Sequence, residues 1–133
     1  MHANGQQGER ADVELRLPAD NAYVSVLRTT TAGLSARLDF PIDEIEDLRI
    51  AVGEASAMVL PEAEGGSDLL CLFFLRSGEL TVKVEVTSTH AVDPDYDSFA
   101  WQVLSTLATS AVAESAGDRF SVSLTMQPVG AGL

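Results

Sequence analysis

Three aspartates at alternating positions have the spacing that most directly suggests a binding site in this chain. They are Asp93, Asp95 and Asp97, and carboxylates in this arrangement begin the calcium-binding loop of EF-hands. That loop also needs a glycine at its sixth position and a glutamate at its twelfth, where this chain has Ser98 and Leu104. We therefore interpret the segment as a solvated acidic loop.

The other residues that could support metal or nucleophilic chemistry lack partners in the sequence. His2 and His90 are far apart, and no cysteine stands at a ligand spacing from either of them. No G-x-S-x-G segment marks a nucleophilic serine. The single cysteine, Cys71, lies in an apolar run and is expected to be a small buried side chain without a disulfide. The residues alone thus predict no metal site.

The charge balance excludes several classes of partner. The chain has 20 acidic and 8 basic residues, a net charge of −12, and the basic residues form no cluster. Phosphate contacts need clustered lysine and arginine, so a nucleic-acid binder is excluded, whereas a basic protein would be attracted. No apolar stretch approaches the roughly 20 residues that span a bilayer. The first residues lack a signal-peptide pattern, and we expect a cytoplasmic protein without membrane contact.

Hydrophobic periodicity predicts the elements that must position any site. Alternating apolar residues predict strands at 13–17, 80–87 and 120–126, and a continuous apolar run predicts a buried strand at 69–75. Helical spacing predicts a first helix capped by Asp20 or Asn21 and a second capped by Asp43. A third helix is expected from Phe99 to Ser115, with Ser98 as its cap and Gly117 as its stop.

The order of these elements, β-α-α-β-β-α-β, predicts an α+β two-layer sandwich. Because a sheet with one apolar face must be covered, we expect a four-stranded, mainly antiparallel sheet with three helices on one face. The domain should span residues 11–128, between polar tails at 1–10 and 129–133. Trp101 is expected in the core because it stands at helical spacing from Leu104.

One stretch of the chain resembles a known family. The segments R-L-D at 37–39, D-E-I at 43–45 and L-R-I-A-V-G-E-A at 48–55 resemble bacterial anti-sigma factors that double as serine kinases. The resemblance is strong over 23–60 and continues by pattern, and segment 98–107 is similar to a divergent actinobacterial branch. It implies the histidine-kinase-like ATPase fold, here with the ATP lid shortened or lost.

The family binds Mg-ATP through three motifs, and this chain departs from all three. Glu54 matches the acid that would activate the attacking hydroxyl, but Met58 replaces the asparagine that holds Mg²⁺, and a thioether is a poor ligand for that ion. Segment 87–92 lacks the aspartate and glycine of the adenine motif, and segment 88–97 has no glycine for a phosphate-binding lid. The resemblance therefore implies no cofactor and a vestigial Glu54, which could otherwise be a working base or a surface acid.

The resemblance implies sigma-factor binding through the first helix. The arginine by which family members reach an acidic partner residue corresponds to Arg28, and an arginine fork suits a carboxylate. Tyr23, Thr29 and Thr31 are expected to line the same face, with Thr30 beside them. The alternative is that Arg28 is an ordinary solvated helix residue.

Three functional hypotheses follow from these observations. The first is an anti-sigma factor that sequesters an alternative sigma factor of the stress or development type, without nucleotide, until a STAS-type anti-anti-sigma factor releases it. The second is an Mg-ATP-dependent serine/threonine kinase of that anti-anti-sigma factor. The third is an interaction scaffold or homodimer that has lost both activities.

Overall fold

The computed structural model describes residues 9–128, which form one antiparallel sheet and three α-helices. The strands are β1 (Val13–Pro18), β2 (Asp68–Arg76), β3 (Glu79–Thr87), β4 (Ser110–Ala116) and β5 (Arg119–Met126). The helices are α1 (Val24–Arg37), α2 (Ile42–Val59) and α3 (Phe99–Leu107), with 3-10 turns at Asn21–Tyr23 and Leu60–Glu62. The expected α+β fold is confirmed, whereas the expected tails lie outside the described residues except for Glu9 and Arg10.

The sheet has five strands in the order β1-β2-β3-β5-β4, so the prediction of four strands was wrong. The third helix ends at Leu107, and Ser110–Ala116 forms the edge strand β4 instead of continuing the helix to Ser115. Alternate residues of β4 are exposed, a period of two that alanine-rich composition had obscured. Gly117, with φ of 62°, turns the β4–β5 hairpin and is not a helix stop.

The two ends of α1 are fixed by local hydrogen bonds. A side-chain oxygen of Asp20 accepts a 2.8 Å hydrogen bond from the Ala22 N–H at the preceding 3-10 turn. At the other end, Asp39 has a φ of 63° and its N–H bonds the Ala36 carbonyl, while the Phe40 N–H bonds the Ser35 carbonyl. This pair of bonds is a Schellman motif with Asp39 in the left-handed position that glycine usually fills.

Helix α2 is the central element of the helical layer, because it packs against α1, α3, β3 and β5. It starts at Ile42 behind Pro41, so Asp43 lies in the first turn and is not the cap that was predicted. Leu48, Val52 and Ala55 are fully buried on its inner face, as the apolar stripe predicted.

One core joins the helices and the sheet. Leu27, Leu48 and Leu104, one from each helix, are fully buried in the same cluster as Leu17 of β1 and alternate residues of β2, β3 and β5, and this confirms a two-layer arrangement. Trp101 is only partly buried, with its ring edge-to-face with Tyr96 at 5.0 Å. Within residues 9–128, no helix is long and apolar enough to cross a membrane.

Candidate functional site

A small cleft lies between the end of α2 and the segment that leads into α3. Met58 and Glu62 line one side, and Val92, Asp93 and Asp95 line the other. Its volume is about 210 Å³, less than the roughly 300–1,000 Å³ of most ligand pockets. This is the region where the resemblance places the nucleotide, because Met58 occupies the position of the magnesium-binding asparagine.

Segment 88–97 stands where the family has its ATP lid, and its first residues are hydrogen-bonded to neighbouring parts of the chain. The Ser88 N–H donates to the Asp118 carbonyl at 2.8 Å, and the Val92 N–H donates to Oγ of Ser115 at 2.9 Å. The Ser88 hydroxyl also donates to the carbonyl of His90 at 2.8 Å. Residues 88–92 are therefore held against the β4–β5 hairpin. The last part of the segment leads to Ser98, which caps α3 through the Trp101 N–H, as predicted.

The cleft has the wrong chemistry for a nucleotide triphosphate. Its described lining includes the carboxylates of Glu62, Asp93 and Asp95 but no lysine or arginine, so it would repel phosphate groups. Glu54, half-buried on α2, does not line it. Among residues 9–128 there is no group of three potential ligands that could hold a metal ion. The residues present do not fit Mg-ATP.

Arg28 occupies a notch between the first two helices. Its side chain crosses from α1 to α2 and lies against Gly53, so that a Cβ atom at position 53 would lie 2.6 Å from Nη2 and 3.0 Å from Nε of Arg28. The residue is half-buried. It is thus not the freely solvated helix residue of the alternative reading, since its guanidinium rests on the backbone of the neighbouring helix.

The guanidinium of Arg28 has no ion pair or hydrogen bond within residues 9–128. Most other basic side chains are paired with carboxylates, namely Arg16 with Asp68, Arg49 with Glu46, Arg76 with Glu9, and both Lys83 and Arg119 with Glu85. Arg28 therefore presents unused donors at the surface of an otherwise acidic protein.

Of the other residues predicted on the binding face, Thr31 is inaccessible and Thr29 points in another direction, whereas Tyr23 is exposed. Thr31 is fully buried, and its hydroxyl donates to the Leu27 carbonyl at 2.8 Å, so a docking partner cannot reach it. Thr29 is exposed about 100° around the helix from Arg28. Tyr23 is 41% exposed in the 3-10 turn before α1. Consecutive helical residues cannot face the same way, which the sequence prediction had overlooked.

Sequence reasoning missed the close approach of Gly53 to Arg28. The glycine was visible in the motif segment, but only the distance to Arg28 shows why a side chain would be in the way. An isolated glycine inside a predicted helix was the available signal, because such a residue often has a packing reason.

Comparison with known proteins finds relatives in sequence and in structure. No family model matches the chain. It is 30% identical over 93 residues to a serine-protein kinase RsbW of Bacillus cereus, which covers 68% of this chain and 56% of that protein. It is 34% identical over 74 residues to RsbW of Bacillus anthracis, covering 54% and 46% respectively. The chain spans about half the length of the curated relatives it matches.

A solved structure shows the same fold. It is the crystal structure of the RsbU and RsbW domains of Rv1364c from Mycobacterium tuberculosis, with a TM-score of 0.68 at 12% identity. The match covers 86% of this chain and 31% of that one. Sequence and fold together confirm the resemblance, and the chain belongs to the RsbW family of anti-sigma factors and serine-protein kinases.

Proposed function

We propose that this chain sequesters an alternative sigma factor by direct binding without nucleotide, and that a STAS-type anti-anti-sigma factor releases it. The proposal depends on two features that occur together. The guanidinium of Arg28 lies against α2 with no ion-pair partner within residues 9–128, and the cleft does not fit Mg-ATP. The site of action would be the cytoplasm, where sigma factors meet RNA polymerase.

Arg28 supports a protein-binding role by its charge and its surroundings. A guanidinium can make two parallel hydrogen bonds to one carboxylate, a geometry that adds both strength and specificity. Partial burial lowers the local dielectric constant and strengthens such a pair relative to one in bulk water. A sigma-factor segment that carries an acidic residue is the partner this chemistry selects.

The acidic cleft supports nucleotide independence. Three acidic residues are among those that line it, and the first part of the segment that would form a lid is hydrogen-bonded to the β4–β5 hairpin. Binding ATP there would require neutralising the carboxylates and releasing the segment at the same time. Release of the sigma factor is then left to competition by another protein.

The first experiment is capture of sigma factors from cells by the wild-type chain and by Arg28→Ala. We expect the wild type to recover at least one sigma factor and the variant to bind it at least tenfold more weakly. Arg37→Ala is the matched control, since Arg37 is an exposed arginine in the last turn of the same helix. Failure of the wild type to recover any sigma factor would refute the proposal.

The second candidate function is a serine kinase that acts on the anti-anti-sigma factor. Glu54 at the family's catalytic position favours it, as do the relatives named serine-protein kinases. Thermal unfolding with and without Mg-ATP separates the two, because a ligand at about 100 times its Kd stabilises by about 2.7 kcal/mol. We expect no shift. The kinase would be established by two results together. Mg-ATP would raise Tm of both the wild type and Glu54→Gln, and Glu54→Gln would no longer transfer phosphate.

A scaffold or homodimer without either activity is the third reading. Sedimentation of the free chain measures its oligomeric state. A dimer that captures neither a sigma factor nor an anti-anti-sigma factor would favour this reading over the other two.

A further inference from the structure

Gly53 is a glycine in the middle of a long helix, where alanine would be more stable. Glycine loses more backbone freedom on helix formation than any other residue. Its backbone gives no reason for the choice, because the glycines with positive φ among residues 9–128 are Gly66, Gly78 and Gly117. The reason must lie in the space that a side chain would fill.

That space is occupied by the guanidinium of Arg28. A Cβ at position 53 would lie 2.6 Å from Nη2, 3.0 Å from Nε and 3.2 Å from Cζ, which are closer than ordinary non-bonded contacts. Three atoms of one planar group within this range indicate that the guanidinium lies alongside the helix at this point. The obstacle is the end of a flexible side chain, so a methyl group at 53 would displace Arg28 rather than disrupt the helices.

We propose that Gly53 is a positioning residue for Arg28: the missing side chain opens the notch that holds the guanidinium in the orientation from which it pairs with a partner carboxylate. This rests on the proposed function, since it assigns to Arg28 the contact with the sigma factor. A free arginine side chain loses much rotamer freedom when it is fixed by a partner. Resting on α2 removes part of that freedom before binding, so less affinity is lost to ordering.

Gly53→Ala is the test, and Gly33→Ala is its matched control. Both glycines lie inside helices and neither has a positive φ, but nothing lies within 4 Å of a Cβ at Gly33. We expect Gly33→Ala to raise Tm by about 2–4 °C and to leave sigma-factor binding unchanged. Gly53→Ala should stay folded with Tm at or above that of the wild type, yet bind the captured sigma factor roughly tenfold more weakly.

A double-mutant cycle shows whether Gly53 acts through Arg28. In the Arg28→Ala background, Gly53→Ala should cause no further loss of affinity, because the group it displaces is already absent. A direct readout is the NMR signal of the Arg28 Nε–Hε group, whose nuclear Overhauser contact with the Gly53 α-protons should be seen in the free wild type. In Gly53→Ala, the Hε contact with the backbone of residue 53 should disappear, and in Gly33→Ala it should remain.

The outcomes separate this proposal from the one on which it rests. Wild-type binding by Arg28→Ala would refute the sigma-factor contact and with it the positioning role. Loss of binding by Arg28→Ala together with wild-type binding by Gly53→Ala would overturn the positioning role alone. An Arg28 Hε contact that persists in Gly53→Ala would overturn it as well.

Discussion

Asp39 is the residue at which a single change should raise stability most cleanly. It is the only described residue other than glycine with a positive φ, and at 63° it closes the Schellman motif after α1. The left-handed conformation costs an ordinary L-residue roughly 1–2 kcal/mol, less for aspartate, and glycine nothing. We therefore expect Asp39→Gly to be more stable than the wild type and Asp39→Ala to be less stable.

The size of the effect on the free energy of unfolding is estimated from the difference between the two substitutions. Glycine removes the whole strain of the left-handed conformation, but it also makes the unfolded chain more flexible, which offsets part of that gain. The free energies of unfolding of Asp39→Gly and Asp39→Ala should therefore differ by about 1 kcal/mol. For a domain of this size that difference corresponds to roughly 4 °C in Tm. The aspartate should fall between the two variants.

Urea denaturation followed by circular dichroism measures these free energies of unfolding. Asp39→Asn is the control for charge, because asparagine tolerates the left-handed conformation and lacks the carboxylate. We expect it to be within about 0.5 kcal/mol of the wild type. If Asp39→Ala proved as stable as Asp39→Gly, the backbone strain assigned to this position would be wrong.

Four further outcomes are expected. Burial raises the pKa of the Cys71 thiol from 9.0 to about 12, so a thiol reagent at pH 8 should label the folded protein only as fast as it unfolds, and urea should abolish this protection. Because the unfolded thiol ionises first, stability should fall between pH 9 and 12 in the wild type and less steeply in Cys71→Ala. Leu48→Ala, at a fully buried position, should cost about 2–5 kcal/mol in urea denaturation, against under about 0.5 kcal/mol for the exposed Ser25→Ala. Met58→Asn alone should leave Tm insensitive to Mg-ATP, because the carboxylates that line the cleft remain; an upward shift would show that Met58 was the main obstacle.

The sequence predicted the elements whose apolar period is unambiguous. Four of the five strands and the existence of all three helices were found in this way. It failed at β4, because alanine and serine have no strong preference for strand and the alternation is carried by small side chains. The cap of α2 was misplaced because Pro41 starts the helix without a side-chain hydrogen bond.

Only part of the candidate site could be predicted, because the rest depends on the distance between two helices. The resemblance to the family identified Arg28, but the contact with Gly53 depends on how closely α1 approaches α2. Burial of Thr31 depends on the same approach. Such distances between elements are set by the packing of the whole core and leave no periodic trace in one sequence.

The position of β1 in the sheet has a consequence for the folding of the newly synthesised protein. β2 and β3 are joined by a two-residue turn. β1 is separated from β2 in the sequence by both α1 and α2, and the two strands pair with Val13 beside Phe73. Closing so long a loop is slow, so β1 should complete the sheet late. Until then β2 has an open edge in its apolar run 69–75, the kind of segment that pairs with other chains and aggregates. β1 contributes only one buried residue, Leu17, to the core, yet it shields this apolar segment from pairing with other chains.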